Sequence, residues 1–525
     1  MIIGVVLLVV IWPYFLAVFN AGNDYYTGVN IWAGADKPIY LSQIEQARAG
    51  HWLLKNLYTA EPQSYVQLSP VWLALGLAGK ITTLSNVAIF QLGRILSALL
   101  LLIVLANFLK KIFASLFWRN LALLMVCFSS GLGLLSFQPF TEDLAQFGWF
   151  GTDLWISEGN TLLTLWHSPL FILSQLVVLV IFWWLADGWL KTTKQVWWGS
   201  LLILLLGLTH PYDLVLVAGV GFVWWLYLVL TNQFEAWPSL SRAWPLILAG
   251  FISGGYMIWL TVSQPAFWGW AEQNVTQSPA IWNYVTGYGL LVPLALIGAV
   301  VAWRSKNNWQ RFLVVWATVQ WYLLFLPVSF QRRLSSGLHL VMAILATFGF
   351  YYIWTNWLGK TKSEVVKFLS RTIFGLVVFI GLILTTGYYF YADWLTVRAH
   401  SARMYLPADE YQAMRWLKDN QLETETVLAD MVTGNTLASV TGKLVAVGHG
   451  HQTVNSQEKF WFVERIFYAV NDQDQLKKAW LKANRVGYVY VGPLERALGN
   501  FQPEQKNYLQ PKFQNQSVTI YQVYD

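Results

Sequence analysis

ADKPIYLSQIEQARAGHWLLKN, residues 35–56, follows an apolar opening run, IIGVVLLVVIWPYFLAVF at 2–19, and brings in Asp36, Lys37, Glu45, Arg48, His51 and Lys55. The opening run lacks the basic start and small-residue cleavage site of a signal peptide. It approaches the roughly 20 residues needed to span a bilayer, so it reads as an uncleaved first span. A polar amphipathic insert directly behind a span needs an aqueous face, and the 20–68 segment is expected to form helices lying on the membrane surface.

Working outward, the composition supports that reading. The 525 residues are 56% hydrophobic and 12% charged, with 31 Trp, more apolar surface than one soluble core can bury. The chain therefore reads as a polytopic membrane protein. Its net charge of +7 is spread over loops, which suits topology and anionic lipid and not nucleic acid, for which no binding module is visible. The single cysteine, Cys127, excludes an intrachain disulfide framework and a thiolate metal cluster.

Apolar runs near 2–19, 87–109, 120–138, 161–186, 196–209, 213–231, 244–263, 283–303, 312–328, 338–357 and 372–392 predict about eleven crossings. HPYD at 210–213 reads as a turn between two of them. Short basic loops belong on the cytoplasmic side. They occur at Lys110, Lys111 and Arg119; at Lys191 and Lys194; at Arg304, Lys306 and Arg311; and at Lys360, Lys362, Lys367 and Arg371. Even numbers of crossings separate each neighbouring pair. SPVWLALGLAGKI at 69–81 is too short for a normal span and reads as a re-entrant or interfacial helix.

This topology puts the N-terminus inside and the C-terminus outside. On the outer face it gathers Asp36, the loop with Glu142, Asp143, Asp153 and Glu158, the His210–Asp213 turn, the segment around Glu272, the Arg332–Arg333 pair and the tail from about 394. Ionisable side chains are costly near a bilayer, so their convergence at one rim points to a site. The domains expected are 1–393, transmembrane, and 394–525, a small extracytoplasmic α/β layer. In the tail, ADEYQAMRWLKD, QEKFWFVERIFYAV and QDQLKKAWLKA are helical patterns, while TVLAD, LVAVGHG, VGYVYVG and SVTIYQV are strand-like, with GHGHQT just after the second of these strands. No glycine-rich phosphate loop or dinucleotide fingerprint follows any strand.

Asp36 has two readings. It precedes Lys37-Pro38 and the helically spaced Ile39, Leu41, Ile44 and Ala47, so it fits a helix N-cap. It also fits a reactive carboxylate held by that helix end. D-x-x-x-Y-L-x-x-I-x-Q-A-x-x-G from Asp36 to Gly50, with NLYTAEP at 56–62, resembles the GT-C superfamily of integral-membrane glycosyltransferases. EGNTLLTLWHSP at 158–169, LTHPYDLV at 208–215, QRRLSSGLHL at 331–340 and GHGHQT at 448–453 resemble its bacterial branch, with distant similarity to protein O-mannosyltransferases and aminoarabinose transferases.

The resemblance implies a multi-pass protein of a bacterial cytoplasmic membrane. It implies transfer of a sugar from a polyprenyl-phosphate donor to a glycan, lipid or protein acceptor. The superfamily's first-loop aspartate maps onto Asp36, the candidate base; many O-mannosyltransferase-like members carry an acidic pair where this chain has Asp36-Lys37. Inverting transfer needs a base for the acceptor hydroxyl and cations for the departing phosphate. Arg332 and Arg333 are the phosphate candidates, since guanidinium groups grip phosphate oxygens bidentately, and His210 and Tyr40 join them on the donor side. Glu158 and Asp153 are candidate second acids, and His449 and His451 candidate acceptor contacts. No cofactor is required by the sequence; Mg²⁺ or Mn²⁺, held by Asp36 or Glu158, is the compatible metal. A non-catalytic lipid-phosphate or polysaccharide carrier and an envelope scaffold on the same fold are the alternative readings.

Overall fold

A computed structural model describes residues 2–34, 36–136, 151–188, 192–360 and 363–524. Glu142, Asp143, Lys191 and Lys362 lie outside the described residues. Among those described, eight helices are long and apolar enough to cross a membrane, and nine if one bent pair counts as a span. The bent pair is Ile281–Tyr288 with Leu291–Arg304, turned by 87°. Gly289 at the break has φ +50°, which a residue with a Cβ adopts only under strain, so the apolar run cannot continue as one rod. Two further predicted runs form shorter helices, Thr193–Thr209 of 17 residues and Asn308–Leu323 of 16. The 69–81 segment is the 13-residue helix Pro70–Thr82, about 20 Å long at 1.5 Å per residue and shorter than the hydrocarbon layer.

The chain divides into two compact units. One comprises Met1–Pro13, Gly93–Gly255 and Thr276–Leu395; the other comprises Tyr14–Leu92, Tyr256–Val275 and Thr396–Asp525.

In the helical unit, Leu291–Arg304 and Leu338–Tyr352 touch through reciprocal glycines. A Cβ on Gly298 would lie 1.8 Å from the Leu345 carbonyl oxygen, and one on Gly349 would lie 1.9 Å from that of Leu294. In lipid, where apolar side chains gain little by leaving solvent, such close backbone approach is how helices hold together.

In the other unit, helix Lys37–Ala49 is packed against Pro70–Thr82 and Met431–Thr441. Gly76 allows the first contact, since a Cβ there would sit 2.4 Å from that of Ala47. The tail contains a four-stranded sheet in the order Thr426–Leu428, Val486–Val491, Thr519–Val523, Leu509–Gln514. The first pair is parallel and the others antiparallel. Alternation sends Val427, Tyr490 and Ile520 to one core and Leu428, Val489 and Tyr521 to the other, so both faces are covered. The three tail helices are present, as are strands at TVLAD, VGYVYVG and SVTIYQV; LVAVGHG at 444–450, expected as a strand, forms only the single bridge of Val445 to Val427. Strand Leu509–Gln514 escaped because its burial falls on few residues and Pro511 interrupts it. Tyr25–Tyr26 pairs antiparallel with Tyr405–Leu406, clasping the segment behind the first helix to the start of the tail.

Candidate functional site

Asp36 occupies the N-cap position of Lys37–Ala49 but makes no side-chain capping hydrogen bond, which corrects the capping reading. Its backbone is already α-like, φ −84° and ψ −17°, whereas a side-chain cap needs an extended residue. The carboxylate instead faces the tail, with Oδ1 3.5 Å from His449 Nε2. The two differ in access: the Asp36 side chain is 31% exposed and that of His449 8%.

The His449 loop is fixed from several sides. Thr453 Oγ1 accepts from the amides of Gly448 (3.1 Å) and His449 (3.3 Å) and donates to the Tyr58 carbonyl at 2.9 Å. The His451 amide donates to His449 Nδ1 at 3.2 Å, and the Gln273 side chain donates to the Thr453 carbonyl at 2.8 Å. The 56–62 and 448–453 motifs, separate in sequence, thus lock onto each other. His451 is exposed, its ring 6.0 Å from that of His449.

Lys37, at the position where an acidic pair was the comparison, is buried and engaged elsewhere. Its ammonium donates to Tyr14 Oη (2.9 Å) and Asn30 Oδ1 (3.2 Å) and lies 4.6 Å from the Tyr14 ring centre. Tyr40 stacks on Trp72, 4.7 Å between ring centres, and on Phe90 at 6.3 Å. Its ring thereby joins the helix to Pro70–Thr82 and to the helix carrying Phe90.

In the helical unit, QRRLSS at 331–336 forms a tight turn ending at Gly337, whose φ of +79° requires glycine before helix Leu338–Tyr352 begins. Gln320 pins the turn, donating to the carbonyls of Leu334 (2.9 Å) and Ser336 (2.7 Å). The Arg332 amide donates to the Thr276 carbonyl at 2.9 Å, and its guanidinium lies 5.1 Å from the Trp155 ring centre. Arg333 Nη1 is ion-paired with Glu158 Oε1. The structure therefore brings Glu158, Arg332 and Arg333 together, two guanidinium groups with one carboxylate.

Glu158 is buried in the short turn Ser157–Gly159, and Asn160 caps the following helix, Thr161–His167, by accepting from the Leu163 amide. Burial pushes its carboxyl up, but Arg333 first and Arg332 second outweigh this and hold it at about 2. A depressed carboxyl stabilises the fold fully above its ordinary range and loses that contribution as pH falls towards 2. The melting temperature of wild type relative to Glu158→Gln is thus expected to be constant from pH 7 to about 5 and to decline below about 4.5. A difference that instead changes between pH 7 and 5 contradicts the pairing.

His210 and Asp213 mark the break between Thr193–Thr209 and Tyr212–Leu230, as the turn reading expects. His210 Nδ1 lies 3.0 Å from Asp213 Oδ2, and Ser174 Oγ donates to the same oxygen; all three side chains are buried. The His210 ring meets Phe171 edge-on at 5.3 Å, and Phe171 stacks on His167 at 4.3 Å. His167, the least of the groups that lower the Glu158 carboxyl, was not singled out in the sequence. The available signal was an ionisable residue beside Pro169 inside an apolar run.

Asp153 has a different environment. Its Oδ2 accepts from the Gly131 (3.0 Å) and Gly133 (3.3 Å) amides, and its carbonyl accepts from Tyr389 Oη. Burial raises its carboxyl to about 7 against those hydrogen bonds and one from Thr385. It ties two backbone segments together. Among the described residues, no three His, Cys, Asp or Glu side chains group as a metal site requires.

No protein-family model and no curated protein matches the sequence. Solved structures match its fold. ArnT from Cupriavidus metallidurans in the apo state aligns over 97% of this chain and 97% of its own, with a TM-score of 0.51 at 13% identity. The Archaeoglobus fulgidus oligosaccharyltransferase tethered to an acceptor peptide aligns over 92% of this chain and 69% of its own, TM-score 0.51 at 11% identity. Arabinofuranosyltransferase AftD from Mycobacteria aligns over 99% of this chain and 40% of its own, TM-score 0.53 at 14% identity. The chain has the GT-C fold. The GT-C resemblance drawn from the first-loop and 331–340 motifs therefore holds for the architecture.

Proposed function

We propose that the chain is a membrane glycosyltransferase that moves a sugar from a polyprenyl-phosphate donor to an acceptor hydroxyl on the extracytoplasmic side, with inversion. The acceptor O–H gives its proton to Asp36 while its oxygen forms the new bond to the sugar carbon. The bond from that carbon to the phosphate oxygen breaks, and the electron pair leaves with the phosphate. Arg332 and Arg333 stabilise that charge, with Glu158 orienting Arg333 and with His210 and Tyr40 on the donor side. His451 contacts the acceptor.

The observation that carries this reading is the cluster itself: the guanidinium groups of Arg332 and Arg333 gather in one short turn beside Glu158, and guanidinium groups can grip phosphate oxygens bidentately. The GT-C fold supports the choice of anion. One fold neighbour, ArnT, was solved bound to undecaprenyl phosphate, and the archaeal oligosaccharyltransferase AglB with a dolichol-phosphate and an inhibitory peptide.

Arg332→Ala tests it. Loss of a charge-assisted contact to phosphate is expected to raise the donor KM about 10- to 100-fold. An unchanged donor KM rejects the phosphate assignment. Lys37, standing where an acid would make a pair, favours a second reading as a non-catalytic lipid-phosphate carrier. That reading predicts the same binding of polyprenyl phosphate and no glycosylated product with any acceptor.

A further inference from the structure

The pair formed by Asp36 and His449 raises the question of which member takes the proton. An aspartate beside a histidine usually orients the imidazole, and the imidazole is the base. Here the hydrogen bonding runs the other way. His449 Nδ1 is occupied as an acceptor by the His451 amide at 3.2 Å. A ring nitrogen that accepts cannot carry a hydrogen, so the remaining proton resides on Nε2, the atom facing Asp36 Oδ1 at 3.5 Å. Both ring nitrogens are thereby committed, and neither offers a lone pair to an acceptor hydroxyl. Exposure agrees, because the carboxylate reaches solvent and the imidazole does not.

The anchoring of the loop completes the argument. Its contacts to the Tyr58 carbonyl through Thr453, to Gln273, and from Asn56 Nδ2 to the Gln452 carbonyl at 2.7 Å hold the histidine ring on backbone supports. Asp36 Oδ1 meets that supported ring at 3.5 Å, so the orientation of the carboxylate is set in part from the tail.

We propose that His449 is the positioning residue of the base: as a neutral Nε2–H imidazole it donates to one oxygen of Asp36 and so aims the other at the acceptor hydroxyl. In the transfer step the acceptor proton moves to the outer Asp36 oxygen while the Nε2–H stays on His449. The tail residues 448–453 thus belong to the acceptor half of the reaction. This rests on the reading of Asp36 as base, and it excludes His449 from being a proton acceptor itself.

The test uses full-length protein in detergent with a polyprenyl-phosphate sugar and a turnover assay, comparing Asp36→Asn, His449→Ala and His449→Gln. His449→Ala is expected to lower kcat about 10- to 100-fold, as loss of aim does, with donor KM unchanged. Removing a donor that favours the carboxylate form also moves the acid limb of the pH–kcat profile to higher pH. His449→Gln, which restores a side-chain N–H of similar reach, is expected to recover much of kcat and the wild-type acid limb. If His449→Ala keeps the wild-type kcat and pH profile while Asp36→Asn is inactive, the positioning role is wrong and the base assignment stands. If Asp36→Asn is fully active, the base assignment itself is wrong. Equal loss of kcat and of melting temperature in both His449 variants, with an unmoved acid limb, marks a purely structural residue and overturns the proposal.

Discussion

Asp36→Asn is expected to lower kcat by about 10²–10⁴-fold, the range a general base contributes, with little change in melting temperature. The small stability effect follows from the local structure. Asp36 makes no side-chain capping bond, so asparagine, equal in size and able to accept a hydrogen bond, removes no helix-end contact. The large kinetic effect follows from chemistry, since a carboxamide cannot take the acceptor proton. Product formation from a polyprenyl-phosphate sugar, measured beside a thermal melt of the same preparation, separates the two. Wild-type turnover in this variant defeats the assignment of the base.

The second large effect concerns stability. Arg333→Ala leaves Glu158, 5% exposed, without its ion-pair partner, and breaking a buried pair from one side typically costs about 3–5 kcal/mol. The double variant Arg333→Met with Glu158→Gln removes both charges and is expected to recover most of that loss. Its donor KM should remain raised, because one of the two guanidinium groups proposed to hold the phosphate is gone. Denaturant or thermal unfolding of the single and double variants reads the first effect, and donor titration the second. A double variant no more stable than Arg333→Ala would show that Arg333 acts through packing and not through charge.

Much of the architecture was legible because its cause is local. Apolar runs of span length, basic loops between them and short strand-like runs alternating with helical patterns in the tail each follow from solvation of single segments, and most helices and strands appear where they predict. The failures share a cause as well. The run 283–303 bends by 87° at Gly289, and 161–186 is broken at Ser168, because turn conformation and helix contacts decide continuity where hydropathy is uniform. Of the two readings of Asp36, the side-chain cap did not form, because capping signals describe a residue and its own helix, while the carboxylate faces a residue more than 400 positions away.

The same division holds for the site. Residue types were readable: a carboxylate behind the first span, an arginine pair in a short polar interruption, histidines in a glycine-containing loop. Their partners were not. That Arg333 is held by Glu158, that Asp153 serves two glycine amides, and that His449 accepts from the His451 amide while facing Asp36 depend on long-range backbone placement. The amino-acid order by itself determined which segments leave water and which charges cannot, because transfer free energy is a property of each segment. Only the tertiary structure decided which charge faces which, because pairing depends on distances of a few ångströms that chain connectivity does not encode.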